Sequence, residues 1–300
     1  MTVAWSVKAQ ECGPYVFRSY NLADSSTVKG SGVDTFSLSQ DYPKTMPAKP
    51  AAGYPWEKTD FRRGAGGFMR QVLDYCWEGM DSAHWVAQNN QVRTWYHAPW
   101  LDYGYMGREF VHGLRMDYTS YPGDLFPKQK TKHRNYSITY YNPEAAYTIG
   151  QVWCDPKHPD PTKANFPAGS VWFKLVFTTA DTSEAPNLLN AMEWEAFVEK
   201  GADQPLDPKK LTKVRLLEVD FGVRSDAKEA VNGWIYGVYV FEGHKNGANI
   251  QDKMVPIGLQ WGNDPGLTPQ IVRAGAKPVS ETWINTNAWN ENNPNASLVQ

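Results

Sequence analysis

Apolar and polar residues alternate with a period of two along several stretches of the chain from residue 136 onwards. This period places successive side chains on opposite faces, so it predicts β-strands that bury one face. The short connections between the stretches favour antiparallel neighbours. The predicted strands cover residues 136–141, 147–153, 170–178, 213–224, 233–242 and 254–261.

Helical spacing of apolar residues predicts two helices. The first covers residues 67–78, and Gly79 fits its C-terminal stop. The second covers about residues 184–199, with Ser183 as its N-cap. The buried sides of the two helices would carry Phe68, Met69, Val72, Leu73 and Cys76, and Leu188, Leu189, Met192 and Val198, respectively.

The patterning also predicts how the chain is organised. Residues 1–53 have weak periodicity, many small polar residues and several prolines, which indicates an extended arm that wraps the surface. Residues 54–284 form a single β-rich domain, and residues 285–300 form a loose, Asn-rich tail. The predicted fold class is mainly β (α+β), with an antiparallel β-sheet or sandwich core, a few helices and the N-terminal wrapping arm.

Charge and apolar content narrow the classes of partner. The net charge of −2 and the lack of a basic run argue against nucleic acid, and no apolar run approaches a membrane span. The N-terminal residues show no signal peptide, so we expect a cytoplasmic protein unless the N-terminus is processed, in which case it would be secreted or periplasmic. Cys12, Cys76 and Cys154 are widely spaced and are predicted to be buried or incidental thiols.

Aromatic residues are unusually abundant, with 13 Trp, 16 Tyr and 12 Phe. Trp and Tyr combine an apolar body with a polar atom, so they suit half-wet binding sites as well as cores. They concentrate in residues 95–105 and along the predicted strands, which are therefore the places to look for a pocket.

One face of the predicted strands is apolar, and the other carries charged side chains, among them Lys174, Glu218, Asp220 and Arg224. The pattern is typical of a solvated face with cross-strand ion pairs, which we favour. The alternative is a concave platform on which these four side chains fix a ligand between aromatic walls.

A second group of candidates lies in the central loops. His97 is part of the aromatic run, and His112 follows Arg108 and Glu109 closely. Histidine could act as a ligand or a proton carrier, and Arg and Lys as anion clamps. His97 and His112 with a carboxylate could form a mononuclear metal site, or both could be half-buried, hydrogen-bonded side chains. The predicted binding residues are His97, Arg108, Glu109, His112, Lys174, Asp220 and Arg224.

Two short motifs need their structural context before they can be interpreted. Glu193 and Glu195 form a Glu-x-Glu pair, which a helix would point to different sides, so we treat it as fortuitous. Asn135 and Asn295 each begin an N-glycosylation sequon, which matters only if the chain is secreted.

Four longer blocks carry a family resemblance: RTWYHAPW (93–100), GREFVHGL (107–114), YNPEAAYTIGQVW (141–153) and VPIGLQWGNDP (255–265). Together they resemble a poorly characterised family of microbial proteins that are often labelled cytochrome c family or hypothetical protein. The resemblance covers about residues 54–284. Many members of that family continue past the equivalent of residues 282–285 into a segment that ends in CxxCH.

A weaker similarity links FPAGSVWFK (166–174) to small β-sheet cytochromes with a lysine-crosslinked haem, and there it implies Lys174 as the crosslinking candidate. The present residues contain no CxxCH, so covalent c-type haem is not expected. The cofactor is unknown, and non-covalent haem or a metal stays open.

Taken with the resemblance, the residues predict a soluble, ligand-binding or redox-associated β-domain with a small-molecule or redox partner. A carbohydrate-active or carbohydrate-binding β-sandwich is the first alternative, because aromatic residues accompany Glu218 and Asp220 on one strand. The second alternative is a structural or assembly protein whose aromatic faces make homo-oligomer contacts. Whether the protein is an enzyme is left undecided.

Overall fold

The computed structural model describes residues 36–81, 83–99, 108–109, 111–199, 210–268, 270–271 and 279–288. In these residues two α-helices and nine β-strands form. The helices are α1 (Ala65–Trp77) and α2 (Pro143–Val152). The strands are β1 (Tyr96–His97), β2 (Arg115–Ser120), β3 (His133–Tyr141), β4 (Val171–Thr178), β5 (Glu193–Ala196), β6 (Thr212–Arg224), β7 (Trp234–Phe241), β8 (Met254–Gln260) and β9 (Thr282–Ile284).

All nine strands belong to one antiparallel sheet. Its main order is β1-β3-β4-β6-β7-β8-β9, while β2 also pairs with β3 and β5 also pairs with β6. The prediction of a mainly β, α+β fold built on an antiparallel sheet is confirmed. The strands predicted at 136–141, 170–178, 213–224, 233–242 and 254–261 correspond to β3, β4, β6, β7 and β8.

The apolar face of the sheet forms the main core together with α1. Phe173 of β4 is fully buried, and its ring packs edge-on against Trp95 at 4.8 Å and parallel to Tyr140 at 4.7 Å. Val72 and Met69 of α1 are also fully buried in this cluster. Burying such side chains stabilises the fold by about 1.5–3 kcal/mol each.

The strand predicted at 147–153 is a helix. Asn142 caps α2 by accepting a hydrogen bond from the Ala145 backbone N–H at 3.1 Å, and Pro143 occupies the first helical turn. An Asn cap followed by Pro is a strong helix start, and here it outweighs the β-propensity of Tyr147 and Ile149.

The helix predicted at 184–199 is also wrong. The segment contains a short 3-10 turn, Pro186–Leu188, followed by strand β5. Trp194 of β5 lies opposite Val214 of β6, so pairing with a long neighbouring strand overrides the helical spacing. Glu193 and Glu195 therefore point to the same side of a strand, rather than to different sides of a helix.

The N-terminal arm is described only from residue 36. Its residues 36–50 contain no helix or strand, and they contact β1 through Ser39 and Tyr42. The Tyr42 hydroxyl donates to the His97 carbonyl oxygen at 2.6 Å. The predictions for residues 1–35 and for the tail from residue 289 lie outside the described residues.

The cysteines differ from one another. Cys76 is a buried free thiol, as predicted. Cys154 forms a disulfide with a partner outside the described residues, so the prediction of an incidental thiol is wrong there. Its position just after α2 ties the end of that helix to another part of the chain.

The sequon at Asn135 lies inside the sheet. Asn135 of β3 is fully buried, and its side-chain amide donates to the Ser120 hydroxyl of β2 at 2.6 Å. Within the described part of the chain, no helix is both long enough and apolar enough to cross a membrane.

Candidate functional site

The face of the sheet opposite the core, here called the polar face, is built from cross-strand rows of side chains. Residues directly opposite each other in antiparallel strands have adjacent side chains. One row runs Tyr141, Trp172, Gly222 and Tyr236, and the next runs Thr139, Lys174, Asp220 and Val238. Aromatic and ionic side chains are therefore neighbours across four strands.

The first row, extended by Trp234 on β7, forms a strip of aromatic side chains that we call the aromatic row (Tyr141, Trp172, Tyr236 and Trp234). The Trp172 indole lies over Gly222, where a Cβ atom would come within 2.3 Å of Trp172 Nε1. The Trp172 and Trp234 rings each lie 6.2 Å from the Tyr236 ring. Tyr236 is 41% exposed, so the row is accessible to a ligand.

A small cavity of about 300 Å³ lies at the Trp172 end of the aromatic row, between α2 and the sheet. Trp172 and Tyr141 form its wall on the sheet, and Trp153 and Ile149 close it from the end of α2. Arg115 of β2 adds a positive charge to its lining. The aromatic row thus begins in a cavity and ends on an open surface.

Beside the aromatic row is an ionic cluster, defined here as Asp117, Tyr118, Lys174, Glu218 and Asp220. Lys174 Nζ lies 2.9 Å from Asp117 Oδ2 and 2.8 Å from Asp220 Oδ2. These three side chains are only 16–19% exposed. The Tyr118 hydroxyl donates to Glu218 Oε1 at 3.0 Å.

The contact between Tyr118 and Glu218 reaches across two strands of the polar face. Strand β2 is separated from β6 by β3 and β4, which on a flat sheet is three strand spacings, or about 14 Å. The long side chains of Tyr118 and Glu218 span this separation and meet through their hydrogen bond. A bulge in β2 between Met116 and Thr119 supplies local bending at this edge.

The pKa values of the groups in the ionic cluster are shifted by burial and by neighbouring charges. Burial, together with the neighbouring Asp220 carboxylate, raises the pKa of Glu218. Burial also raises the pKa of Asp220, although Lys174 opposes the shift. Burial alone would lower the pKa of Lys174, but the Asp220 and Asp117 carboxylates outweigh it and the pKa lies above its usual value. The cluster can therefore offer hydrogen-bond donors as well as acceptors.

The structure brings together two of the predicted residues, Lys174 and Asp220, and places a third, Arg224, at the end of the same strand. The Arg224 guanidinium donates to the Gly233 carbonyl oxygen at 2.8 Å and to that of Ser225. These bonds close the turn that leads into β7, next to Trp234 of the aromatic row.

His97 lies on the other side of the sheet, in the core. It is fully buried, and its Nδ1 accepts the Ser39 backbone N–H at 2.8 Å. Its ring packs against Phe36 and Tyr140 at 4.9 and 5.2 Å. Burial, with the Arg108 charge, lowers the pKa of His97 to about 3, so the imidazole is neutral at neutral pH.

Arg108, Glu109 and His112 belong to the loop before β2. The fully buried Glu109 carboxylate accepts the backbone N–H groups of Val111 and His112 at 2.8 and 2.7 Å. Arg108 donates to the Gly113 carbonyl oxygen at 2.9 Å. These bonds shape the loop. Nowhere in the described ranges do three His, Cys, Asp or Glu side chains gather as a metal site would require.

No sequence pattern points to Asp117 and Tyr118, because residues 115–120 (RMDYTS) do not alternate in polarity. Trp172 and Tyr236 could have been found, since alternation already places them on the face of Lys174. Their role in the site follows only from the cross-strand register.

Comparisons with protein families, curated proteins and solved structures find no match to this chain. The resemblance to cytochrome-associated proteins therefore stays a prediction. The interpretation of the polar face rests on its own geometry and chemistry.

Proposed function

We propose that the protein binds a carbohydrate on the polar face of its sheet. Sugar rings would stack on the aromatic row, and the ionic cluster would hydrogen-bond the hydroxyl groups. The observation that carries this proposal is the cross-strand register, which sets Lys174 next to Trp172 on one face of β4 and places Tyr236 of β7 in the same cross-strand row as Trp172. A few polar groups placed among aromatic side chains are a common form of ligand site.

The chemistry of the cluster favours a neutral, hydroxyl-rich ligand. Lys174 offers N–H donors, and the carboxylates of Asp117, Glu218 and Asp220 offer acceptors, so hydroxyl groups can be bound in both directions. The cluster has three carboxylates and one ammonium group, so a phosphorylated or carboxylated ligand would meet net repulsion there. Trp and Tyr rings provide the apolar surface that the C–H faces of a sugar ring need.

The site is also held in place before any ligand arrives. Two carboxylates fix the Lys174 ammonium group, and the Trp172 indole rests on the backbone at Gly222. Groups that are already ordered lose less conformational entropy on binding, which favours affinity.

Titration calorimetry with cellohexaose, xylohexaose and mannohexaose tests the proposal. We expect at least one of these to bind, and Trp172→Ala and Tyr236→Ala each to weaken it at least about tenfold, because losing an anchor side chain costs on the order of 2 kcal/mol. Tyr121→Ala is the matched control, since Tyr121 is 56% exposed and follows the end of β2. Lack of binding of all three at millimolar concentration, or unchanged affinity in both variants, would refute the proposal.

The same face supports glycoside hydrolysis as a second candidate. Glu218 and Asp220 are two apart on one strand, roughly 6.5–7 Å along it, near the lower end of the roughly 6.5–9.5 Å separation of inverting glycosidases. Glu218, with its raised pKa, would be the acid and Asp220 the base. Reducing-sugar release from the bound oligosaccharide, abolished in Glu218→Gln while binding persists, would support this activity; binding without release would leave the protein a binding domain.

The redox-associated alternative has a separate test. An absorption spectrum and a metal analysis of protein from its native source would show a Soret band or stoichiometric metal if that function holds. Neither result depends on the aromatic row, so the two proposals can be decided independently.

A further inference from the structure

A larger cavity, of about 730 Å³, lies away from the polar face, between β5 and the segment that follows α1. Its volume is within the range of small-molecule sites, about 300–1,000 Å³. The residues that matter here are Trp85, His112 and Trp194 on its walls, and Asp81, Glu193 and Glu195 around them.

One wall of this cavity is a stack of three rings. Trp194 of β5 lies between His112, at 4.4 Å and nearly parallel, and Phe177 of β4, at 4.2 Å. The Trp194 indole N–H donates to the Ala83 carbonyl oxygen at 2.8 Å. The stack is thereby fixed in orientation, and because Trp194 and Phe177 are buried, the half-buried His112 ring is the one that offers an aromatic surface to the cavity.

A second wall is held by strained backbone. Trp85 has a φ of +55°, a left-handed conformation that is rare for a bulky side chain. Its carbonyl oxygen accepts the Tyr140 hydroxyl at 2.9 Å, and its indole N–H lies 3.2 Å from Met192 Sδ. Such strain costs about 1–3 kcal/mol and persists where the surroundings enforce it, often at ligand sites.

The charge of the lining is negative. Asp81, Glu193 and Glu195 line the cavity, and no Lys or Arg does so among the described residues. Lys213 and Arg215 neutralise Glu193, at 2.8 and 2.7 Å. Asp81 and Glu195 form no ion pair within the described ranges, although Lys213 lies opposite Glu195 in the β5–β6 register and Asp81 accepts the Ala83 backbone N–H at 2.9 Å.

His112 does not offset this charge. Burial lowers the pKa of His112 to about 4, so its ring is neutral at neutral pH and stacks as an aromatic surface. We infer that the cavity binds a small organic cation with a flat aromatic body, stacked on His112 and with its ammonium group held by Glu195 and Asp81. Cation and aromatic contacts reinforce each other in such sites.

Titration calorimetry at pH 8 with three indole probes tests this inference: cationic tryptamine, neutral indole and anionic indole-3-acetate. We expect tryptamine to bind roughly tenfold or more tightly than indole, because a charge-assisted hydrogen bond contributes about 1.5–3 kcal/mol. Indole-3-acetate should bind most weakly. Equal affinity for the three probes, or no binding of tryptamine at millimolar concentration, would overturn the inference.

Variants locate the site. Glu195→Gln and Asp81→Asn should each remove most of the preference for tryptamine over indole. Glu229→Gln is the control, because its carboxylate lies in a different cavity and its side chain is comparably open, at 42% exposure. Trp172→Ala should leave tryptamine binding unchanged, which separates this site from the polar face. A preference that survives both Glu195→Gln and Asp81→Asn would show that the cavity is not where the cation binds.

Discussion

The same strands form both faces of the sheet, but the two faces carry different kinds of side chain. On β4, Phe173 and Leu175 are fully buried against α1 and the aromatic core, while Trp172 and Lys174 alternate with them, lie on the polar face and remain partly accessible. On β6, Val219 and Phe221 are buried, and Glu218 and Asp220 alternate with them. Neighbours in sequence are therefore separated in function, and single substitutions can test each face by itself.

The contrast also concerns how charge is handled. The core face carries mainly apolar side chains, whereas the polar face gathers three carboxylates around one ammonium group. Partly buried charges need partners, since an unpaired one loses hydration without compensation. The polar face is thus expected to respond to pH and to charge removal, and the core face to volume removal.

The largest effect is expected from Phe173→Ala on the core face. Removing a fully buried aromatic ring that packs against Trp95 and Tyr140 should cost about 3–5 kcal/mol. Urea denaturation gives the loss directly. The adjacent Trp172→Ala should lose less than half as much stability, and equal losses would mean that the two faces are not distinct in this way.

Next comes Lys174→Met, which keeps the apolar stem but removes the charge between Asp117 and Asp220. We expect a loss of about 2–3 kcal/mol at pH 7–8, somewhat below the value for a fully buried pair. The loss should shrink as the pH falls, because protonation of Asp220, whose pKa is raised, removes part of the repulsion between the carboxylates.

Lys213→Met is the matched control for that variant. Lys213 pairs with Glu193 at 2.8 Å, but the two side chains are 48% and 38% exposed, so its removal should cost under about 1 kcal/mol. Denaturation of both variants at pH 5 and pH 8 makes the comparison. Similar losses, or a Lys174→Met loss that grows in acid, would contradict the assignment.

A smaller, pH-dependent effect is expected from Glu218→Gln. The pKa of Glu218 is higher in the folded than in the unfolded state. At a pH between these two pKa values, Glu218 is therefore protonated in the folded state and ionised in the unfolded state. Stability from this group is then present below the unfolded pKa and is lost as the pH rises through the folded pKa. The variant should be more stable than the wild type at pH 8, by about 1 kcal/mol or more.

Melting curves from pH 4 to pH 9 measure this difference. Glu229→Gln, which alters an exposed carboxylate, should run parallel to the wild type across the range. If the Glu218→Gln curve also ran parallel, the carboxyl group of Glu218 would have an ordinary pKa.

The smallest effect on stability is expected from Gly222→Ala, below about 1 kcal/mol, because the partly exposed Trp172 indole can move away from the added methyl group. Its effect on carbohydrate binding should be larger, since the aromatic row loses its shape. Gly258→Ala is the control on the same face, where the nearest atom to a new Cβ is 3.4 Å away. Titration calorimetry of both variants with the oligosaccharide that binds the wild type makes the comparison. Equal affinities of the two variants would mean that Trp172 is not involved in binding.

Much of the sheet follows from the sequence because its central strands carry their own pattern. Alternation in β4, β6 and β7 identifies both faces and places Lys174 and Asp220 together. The two elements that differ from the prediction do so for different reasons. In α2, the local helix start at Asn142 and Pro143 outweighs a strand-like pattern. Strand β5 lies in a segment with apolar residues at helical spacing, and its pairing with β6 makes it a strand.

Only part of the candidate site could be predicted from the sequence. Lys174, Glu218 and Asp220 lie on patterned strands, but Asp117 and Tyr118 lie on an edge strand with no pattern. Their arrival at the site depends on the order of the strands and on the bulge in β2. Strand order is a property of the assembled sheet, which no short stretch of sequence encodes.

The buried sequon at Asn135 has a practical consequence for producing the protein. Oligosaccharide transfer in a eukaryotic secretory pathway acts on the nascent chain, before the sheet has formed. A glycan on Asn135 would sit where this side chain donates to Ser120, between β3 and β2, and the strands could not pair around it. Recombinant material secreted from such hosts would then be a mixture of native, unglycosylated molecules and misassembled glycoforms, whereas bacterial expression avoids the problem.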